Sequence, residues 1–253
     1  MVKLAELVKY LDELLEIELW EAADSSLNGL QIEGAGKISS VALAVDGCEQ
    51  TFEMCRKTGA QMLIVHHGLF WGEPLPVTGI HRRRVKLLLD AGISLYAIHL
   101  PLDFHPLLGH TVCIARGLGL EVMGPLKKEK NLTAGTLARS GPPIAREEFV
   151  ERVDRLLSTK SLVLPFGSDR VENLGIVSGH GSKLVDEGLC KNIDTFLTGQ
   201  TSHTLYHHAK EYGLNVIFAG HYATEFPGLK ALAGHLAERF GLKTTLLEAP
   251  TGL

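Results

Sequence analysis

Hydrophobic and polar positions follow two different periods along the chain, and the changes of period predict a succession of helices and strands. Leucines recur at helical spacing between Leu4 and Leu15, which predicts an amphipathic first helix. Short apolar runs then alternate with further helical patterns. The predicted strands are 38–46, 61–65, 93–98, 134–139, 162–164, 171–177, 193–197, 215–219 and 243–248, and the other main helices are 49–57, 82–90, 111–118, 146–157 and 229–239.

This alternation of strand and helix favours an α/β fold built from right-handed βαβ units. Such units give a mainly parallel sheet, and a second sheet is expected to begin with the strands 162–164 and 171–177. In a parallel sheet, the carboxyl ends of successive strands lie along one edge, where ligands commonly bind.

Composition narrows the class of protein without naming a function. The chain has 253 residues, 45% of them hydrophobic and 21% charged, with a formal net charge of −4, so it resembles an ordinary globular protein and a nucleic-acid partner is not expected. The four cysteines form no close metal-binding pair and are expected to be reduced. We see no signal-peptide pattern or membrane-spanning run, which predicts a cytoplasmic protein without a membrane partner.

Two adjacent histidines, His66 and His67, end the predicted strand 61–65 and are followed by Gly68. Neighbouring side chains on an extended segment point to opposite sides, so both imidazoles cannot join one packed face. They are placed to hold two different metal ions, or one ion and a bound group. An exposed histidine pair at a strand exit is the alternative.

Two other strand exits carry metal-ligand residues at four-residue spacing. The strand 93–98 ends in His99 and Asp103, and the strand 215–219 leads to His221 and Glu225. A glutamate can bridge two cations through its two oxygens. Imidazole and carboxylate ligands together suit zinc, iron or manganese. The three strand exits supply His66, His67, Asp103, His221 and Glu225. Five ligands exceed the need of one catalytic zinc and fit two ions that share a carboxylate, as in a hydrolytic centre.

Two other features have weaker functional interpretations. The Gly-rich turn Ser178–Ser182 precedes a helix, and its N–H groups would suit a phosphate or carboxylate, although a tight packing turn is favoured. For His203 and His207, a solvated helix face is favoured over a ligand role. The sequence assigns no role to His180.

Five motifs in the same order resemble those of the NIF-three-like family, whose bacterial members are commonly named GTP cyclohydrolase 1 type 2 homologues. The resemblance covers nearly the whole chain, and the length is similar to the short bacterial form without an inserted domain. The motifs are Leu27-Asn-Gly-Leu-Gln31, Val65-His-His-Gly68, His99-Leu-Pro-Leu-Asp103, Thr198-Gly199 and Gly220-His-Tyr-Ala-Thr-Glu225.

The resemblance implies two interlinked α/β domains, 1–125 with 215–253 and 126–214, and a dinuclear metal site in the cleft between them. It further implies two divalent ions per chain and a toroidal homohexamer whose sites face an internal cavity. His99 is expected to be a neighbour that orients a ligand or bound water, or shuttles a proton. By motif, the expected metal ligands are His66, His67, Asp103, His221 and Glu225.

Two functions of different classes remain open. The first is a metal-dependent hydrolase that acts on a nucleotide or related small molecule through a metal-activated water. The name of the family points to opening of the imidazole ring of GTP as the reaction. Phe70, Trp71 and the turn 179–182 are then candidates for substrate recognition. The second is a non-enzymatic metal-handling protein or ring-shaped scaffold.

One departure from the family pattern is Gln200, where many members have glutamate after Thr-Gly. This difference puts an acid–base role at position 200 in doubt.

Overall fold

The computed structural model describes all 253 residues and contains three β-sheets. Most predicted strands are present, with bounds that differ by a few residues. In chain order the strands are β1 Val2–Lys3, β2 Gly29–Ile32, β3 Lys37–Ile38, β4 Ser40–Asp46, β5 Met62–His67, β6 Ser94–Ala97, β7 Glu121–Glu129, β8 Leu132–Ala145, β9 Leu162–Pro165, β10 Arg170–Val177, β11 Thr195–Thr198, β12 Asn215–Phe218 and β13 Lys243–Leu246.

Helices separate most of these strands, and none of them is long and apolar enough to cross a membrane. A single 3₁₀ turn, Ser182–Leu184, follows β10. The α-helices are α1 Leu4–Leu14, α2 Ile17–Trp20, α3 Glu49–Thr58, α4 Gly79–Ala91, α5 Leu100–Asp103, α6 His110–Gly117, α7 Arg146–Leu157, α8 Val185–Leu189, α9 Thr204–Tyr212, α10 His221–Thr224 and α11 Pro227–Phe240.

The chain forms two compact units, each of which contains two chain segments. Unit 1 comprises Met1–Leu102 and Leu229–Ala249, and unit 2 comprises Asp103–Gly228 and Pro250–Leu253. The boundaries therefore differ from the predicted positions near residues 125 and 215. The reason is pairing: β7 pairs with β8, and β12 pairs with β11 and β9, so both segments belong to the sheet of unit 2.

Unit 1 is built on the sheet β13-β4-β5-β6-β2, in which all pairs are parallel except β6 with β2. The predicted parallel arrangement is thus confirmed for this unit. Its core lies where α3 and α4 pack on the sheet, with Phe52, Leu63, Val65, Leu88 and Leu95 all buried. Strand β2, Gly29–Ile32, is an additional edge strand that is absent from the predicted strands.

Unit 2 is built on the sheet β7-β8-β10-β11-β12-β9, in which only β10, β11 and β12 run parallel. The prediction of a mainly parallel sheet is wrong here. A tight turn with Lys130 in the left-handed region (φ 53°) folds β7 onto β8 as an antiparallel hairpin. β8 also continues through Gly141–Pro143, beyond the end of the predicted strand 134–139. β10 has a register shift between Val171 and Asn173.

Gly68 in unit 1 fills a place that accepts no side chain. A β-carbon added there would lie 2.5 Å from the Cβ of Ala97 in β6 and 2.5 Å from the amide nitrogen of Gln31. The same Gln31 accepts a hydrogen bond from the Leu69 N–H at 2.7 Å. The glycine therefore lets the chain leave β5 against its neighbouring strand, immediately after the two histidines.

We predict that Gly68→Ala lowers the free energy of unfolding by about 1–3 kcal/mol, because Ala97 belongs to a buried strand and cannot yield. Urea denaturation monitored by circular dichroism measures the loss. Gly36→Ala is the matched control, because a β-carbon at Gly36 has no neighbour within 4 Å, and its effect is expected to stay within about 0.5 kcal/mol. Equal losses in both variants would contradict this account.

Candidate metal centre

In unit 1, the carboxyl ends of two neighbouring parallel strands bring three histidines together. His66 and His67 end β5, and His99 follows β6. The candidate ligand atoms of these three residues lie within 4.8 Å of one another. Their ring centroids are separated by 4.7 to 5.8 Å. The predicted convergence of these strand exits is present within this unit.

Hydrogen bonds determine which ring nitrogen of each histidine can act as a ligand. The Nδ1 of His66 lies 2.8 Å from the carbonyl oxygen of Ile98, which can only accept, so this Nδ1 carries the proton. The Nδ1 of His67 lies 2.8 Å from Oδ1 of Asp46, at the end of β4. In both rings the lone pair is therefore on Nε2, as in metal sites where a carbonyl or carboxylate orients the ligand.

His99 has the same arrangement through a different carboxylate. Its Nδ1 lies 2.8 Å from Oδ1 of Asp24, whose Oδ2 accepts hydrogen bonds from the Leu100 N–H and the Asn28 amide. Burial raises the pKa of Asp24, but the hydrogen bonds from His99 and Asn28 outweigh this effect and hold the pKa below its usual value. The resemblance assigns His99 a supporting role, and its geometry in unit 1 matches that of the two expected ligands.

The Leu27–Gln31 motif supports this cluster. The side-chain oxygen of Asn28 accepts the backbone N–H of His99 at 2.7 Å. Gln31 holds the backbone of Leu69 and donates to the carbonyl of Leu27 at 2.7 Å. The motif therefore fixes the two strand exits that carry the histidines.

In unit 2, the carboxyl ends of β10, β11 and β12 converge through three glycines. A β-carbon at Gly199 would lie 2.5 Å from Oγ1 of Thr224, 2.8 Å from the Gly179 carbonyl and 2.9 Å from the Gly220 carbonyl. A β-carbon at Gly179 (φ +54°) would collide with the carboxylate of Glu225. Only glycines allow these loops to approach closely enough to place Glu225 at this edge.

His221 and Glu225 lie side by side in unit 2, as their spacing predicted. The Nε2 of His221 is 3.1 Å from Oε2 of Glu225, and its Nδ1 is 3.1 Å from Oε1 of Gln200. An amide oxygen only accepts, so Nδ1 carries the proton and the lone pair is again on Nε2. This distance is favourable when a second ring proton on His221, or a cation bound by both groups, lies between the nitrogen and the carboxylate oxygen.

Gln200 is thus an orienting neighbour of His221. It accepts from the histidine through a neutral amide, where His67 and His99 have carboxylate partners. The departure from the family pattern therefore changes the charge behind one ligand and leaves its orientation intact.

Asp103 is buried in unit 2, where Ser178 of the Gly-rich turn donates a hydrogen bond to it and His110 lies close to it. The Ser178 hydroxyl donates to its Oδ1 at 2.5 Å. The ligand atoms of Asp103 and the fully buried His110 lie within 4.8 Å. The Nδ1 of His110 accepts the N–H of Gly228 at 3.0 Å, so the neutral ring carries its proton on Nε2. His110 is therefore suited to donate a hydrogen bond towards this carboxylate.

The Ser178–Ser182 turn is a structural turn, as favoured from the sequence. Its Gly179 N–H donates to the Thr224 hydroxyl and its Gly181 N–H to the Thr198 hydroxyl, each at 3.0 Å. The two glycine amides of the turn are therefore already used within the fold and are not offered to a phosphate. His180 is exposed and lies 2.9 Å from the Ser182 hydroxyl.

The structure brings His66, His67 and His99 together within unit 1, and His221 and Glu225 together within unit 2. Three supporting residues, Asp24, Asp46 and His110, were missed. Only Asp46 had a signal, because it ends the strand next to His67. The exposed His203 lies outside these clusters, and His208 is 2.7 Å from Asp186.

Comparison with known proteins identifies the family. A curated protein of Deinococcus radiodurans, named GTP cyclohydrolase 1 type 2 homolog, is 43% identical over 98% of this chain and 94% of its own length. One of Archaeoglobus fulgidus with the same name is 38% identical over 100% of both chains. The crystal structure of a Thermus thermophilus protein superposes with a TM-score of 0.90, with 43% identity and complete coverage of both chains. The family model Duf34/NIF3 (NGG1p interacting factor 3) matches residues 2–251, and the chain belongs to this family.

Proposed function

We propose that this protein is a dinuclear metal-dependent hydrolase of a nucleotide or related small molecule. The observation that carries the proposal is the common orientation of its histidines. Each candidate ligand histidine has its Nδ1 bonded to an oxygen acceptor, which leaves the lone pair on Nε2. Core or surface histidines have no reason to share this arrangement with carboxylates beside them.

The ligand residues of the two units complement each other chemically. The cluster in unit 1 offers neutral nitrogen ligands, and unit 2 adds the carboxylates of Asp103 and Glu225, which balance the charge of divalent ions. We propose that His66, His67, Asp103, His221 and Glu225 together hold two ions, with Glu225 as the bridging carboxylate. Zinc, iron and manganese suit this donor set.

Two ions bound there would lower the pKa of a bound water and polarise the substrate. The protein's own residues orient the side chains that would bind the two ions. Asp24 and Asp46 hold two imidazoles by hydrogen bonds, while Ser178 donates to the carboxylate of Asp103 and His110 lies close to it. His99, with its Nδ1 proton held by Asp24, presents a basic Nε2 that is suited to accept a proton from substrate or water.

Support for a nucleotide substrate comes from relatives named GTP cyclohydrolase 1 type 2 homolog at 33–43% identity. A shared fold and metal site do not determine the substrate, so this part of the proposal depends on an assay. The homohexamer and the cytoplasmic location expected from the sequence belong to the same proposal. Light scattering of the purified protein measures the number of subunits.

The alternative is a metal-handling protein without turnover, which the same donor set would also suit. The two functions differ in a measurable way. Chelator-treated protein is reloaded with zinc, iron or manganese, and each sample is assayed with a panel of nucleotides. Metal-dependent hydrolysis supports the enzyme, whereas two tightly bound ions without any turnover contradict it.

We predict that Glu225→Gln reduces bound metal from two ions to one or none per chain, because an amide cannot bridge two cations as a carboxylate does. Elemental analysis after gel filtration measures the ratio. His203→Ala, at the exposed position just before α9, is the control and should retain two ions. Two ions in Glu225→Gln would refute the bridging role.

We predict that Gln200→Glu tightens metal binding by about tenfold, because a carboxylate behind Nδ1 raises the basicity of His221 as a ligand. Gln200→Leu removes the acceptor and should weaken binding by about 10- to 100-fold. Competition with a chromogenic chelator measures both affinities. Thr201→Glu adds the same charge at the next, exposed position. If Thr201→Glu tightens metal binding equally, the added negative charge alone causes the effect, and the hydrogen bond to His221 does not.

A further inference from the structure

Trp71 is a large aromatic residue that remains exposed beside the histidine cluster of unit 1. Its side chain is 39% exposed, whereas the only other tryptophan, Trp20, is 8% exposed. The indole centroid lies 4.9 Å from that of His99 and 5.9 Å from that of His67. The indole therefore offers uncovered aromatic surface directly beside the histidine cluster.

The indole is held in place on several sides. Its Nε1–H donates to the Gly68 carbonyl at 3.0 Å, directly after the two histidines. Its backbone forms an isolated antiparallel bridge with Ser26. On either side of the bridge, the Gly72 N–H donates to Ser25 at 2.7 Å and the Leu27 N–H donates to Phe70 at 3.0 Å. A side chain fixed in this way loses little entropy when a ligand binds to it.

The residues around the indole offer apolar and aromatic surface that suits contact with a planar ring. Leu27, whose backbone is paired to the same loop, is 55% exposed and adds apolar surface. His67 and His99 each leave 22% of their side chains exposed. Stacked aromatic rings typically have centroids about 4.5–7 Å apart, so a ring on the indole would lie next to the histidine cluster.

We propose that Trp71, with Leu27 at its edge, is a stacking platform that binds the planar nitrogen heterocycle of the substrate, such as a purine base. The inference rests on the proposed function and adds the part of the substrate that is recognised. The indole supplies the face for the ring, and the histidine cluster beside it holds the metal-binding groups. Affinity for the base then comes from stacking and requires neither phosphate nor metal.

The experiment uses the fluorescence of Trp71 alone. In Trp20→Phe, Trp71 is the sole tryptophan, and its emission is titrated with guanosine, which carries the ring and no phosphate. We expect saturable quenching with or without metal, after correction with free N-acetyltryptophanamide. Ribose 5-phosphate and tripolyphosphate, which lack the ring, should leave the emission unchanged. Absence of quenching by guanosine in a folded variant overturns the proposal.

Variants of the intact chain provide the second measurement. Equilibrium dialysis of guanosine is expected to show about tenfold or greater weakening in Trp71→Leu, because one stacked base typically changes affinity by about 5- to 150-fold. Trp71→Phe keeps an aromatic face and should retain most of the affinity. Leu75→Ala removes another exposed apolar side chain of the same loop and serves as control. Equal affinity in Trp71→Leu and the parent protein contradicts the platform.

Metal content and nucleotide turnover are measured on the same samples. These measurements distinguish a failure of the hydrolase proposal from a failure of the stacking-platform proposal. Guanosine binding through Trp71 without turnover supports the platform and contradicts the hydrolase. Turnover whose KM is unchanged by Trp71→Leu supports the hydrolase and contradicts the platform.

Discussion

The hydrogen bond at the Nδ1 atom of each candidate ligand histidine is the interaction on which the site depends. It fixes the ring orientation and forces the lone pair onto Nε2, so the ligand atoms of unit 1 gather within 4.8 Å. The acceptors differ in charge: a backbone carbonyl for His66, a carboxylate for His67 and His99, and an amide for His221. These differences in acceptor charge change the basicity of each candidate ligand histidine without changing its position.

Backbone proximity is the second constraint. Asp46 and the Ile98 carbonyl reach His67 and His66 because parallel strands end side by side, β4 with β5 and β5 with β6. In unit 2, loops after β10, β11 and β12 approach so closely that Gly179 and Gly199 leave no room for side chains. The glycines of the motifs therefore act on the site through packing, and the threonine hydroxyls of Thr198 and Thr224 satisfy the amides that this packing brings together.

The sequence predicted much of this arrangement for a physical reason. Strand exits of a parallel sheet share an edge, so the pairing of His66 and His67 with His99 followed from element order alone. The antiparallel pairing in unit 2 was not predicted, because the tight turn at Lys130 pairs β7 with β8 and tertiary contacts decide the other partners. The roles of Asp24 and His110 depend on contacts between distant parts of the chain, 75 residues apart for Asp24 and His99 and 118 residues apart for His110 and Gly228. No local pattern reports such contacts.

The central claim is that two ions are held through Nε2 nitrogens and shared carboxylates. Anomalous diffraction from crystals of the metal-loaded protein, recorded on both sides of the absorption edge of the metal, tests it most directly. The account predicts two anomalous peaks, with the Nε2 atoms of His66, His67 and His221 and the carboxylates of Asp103 and Glu225 as ligands. Coordination through Nδ1, or the absence of any peak at these residues in loaded crystals, would contradict it.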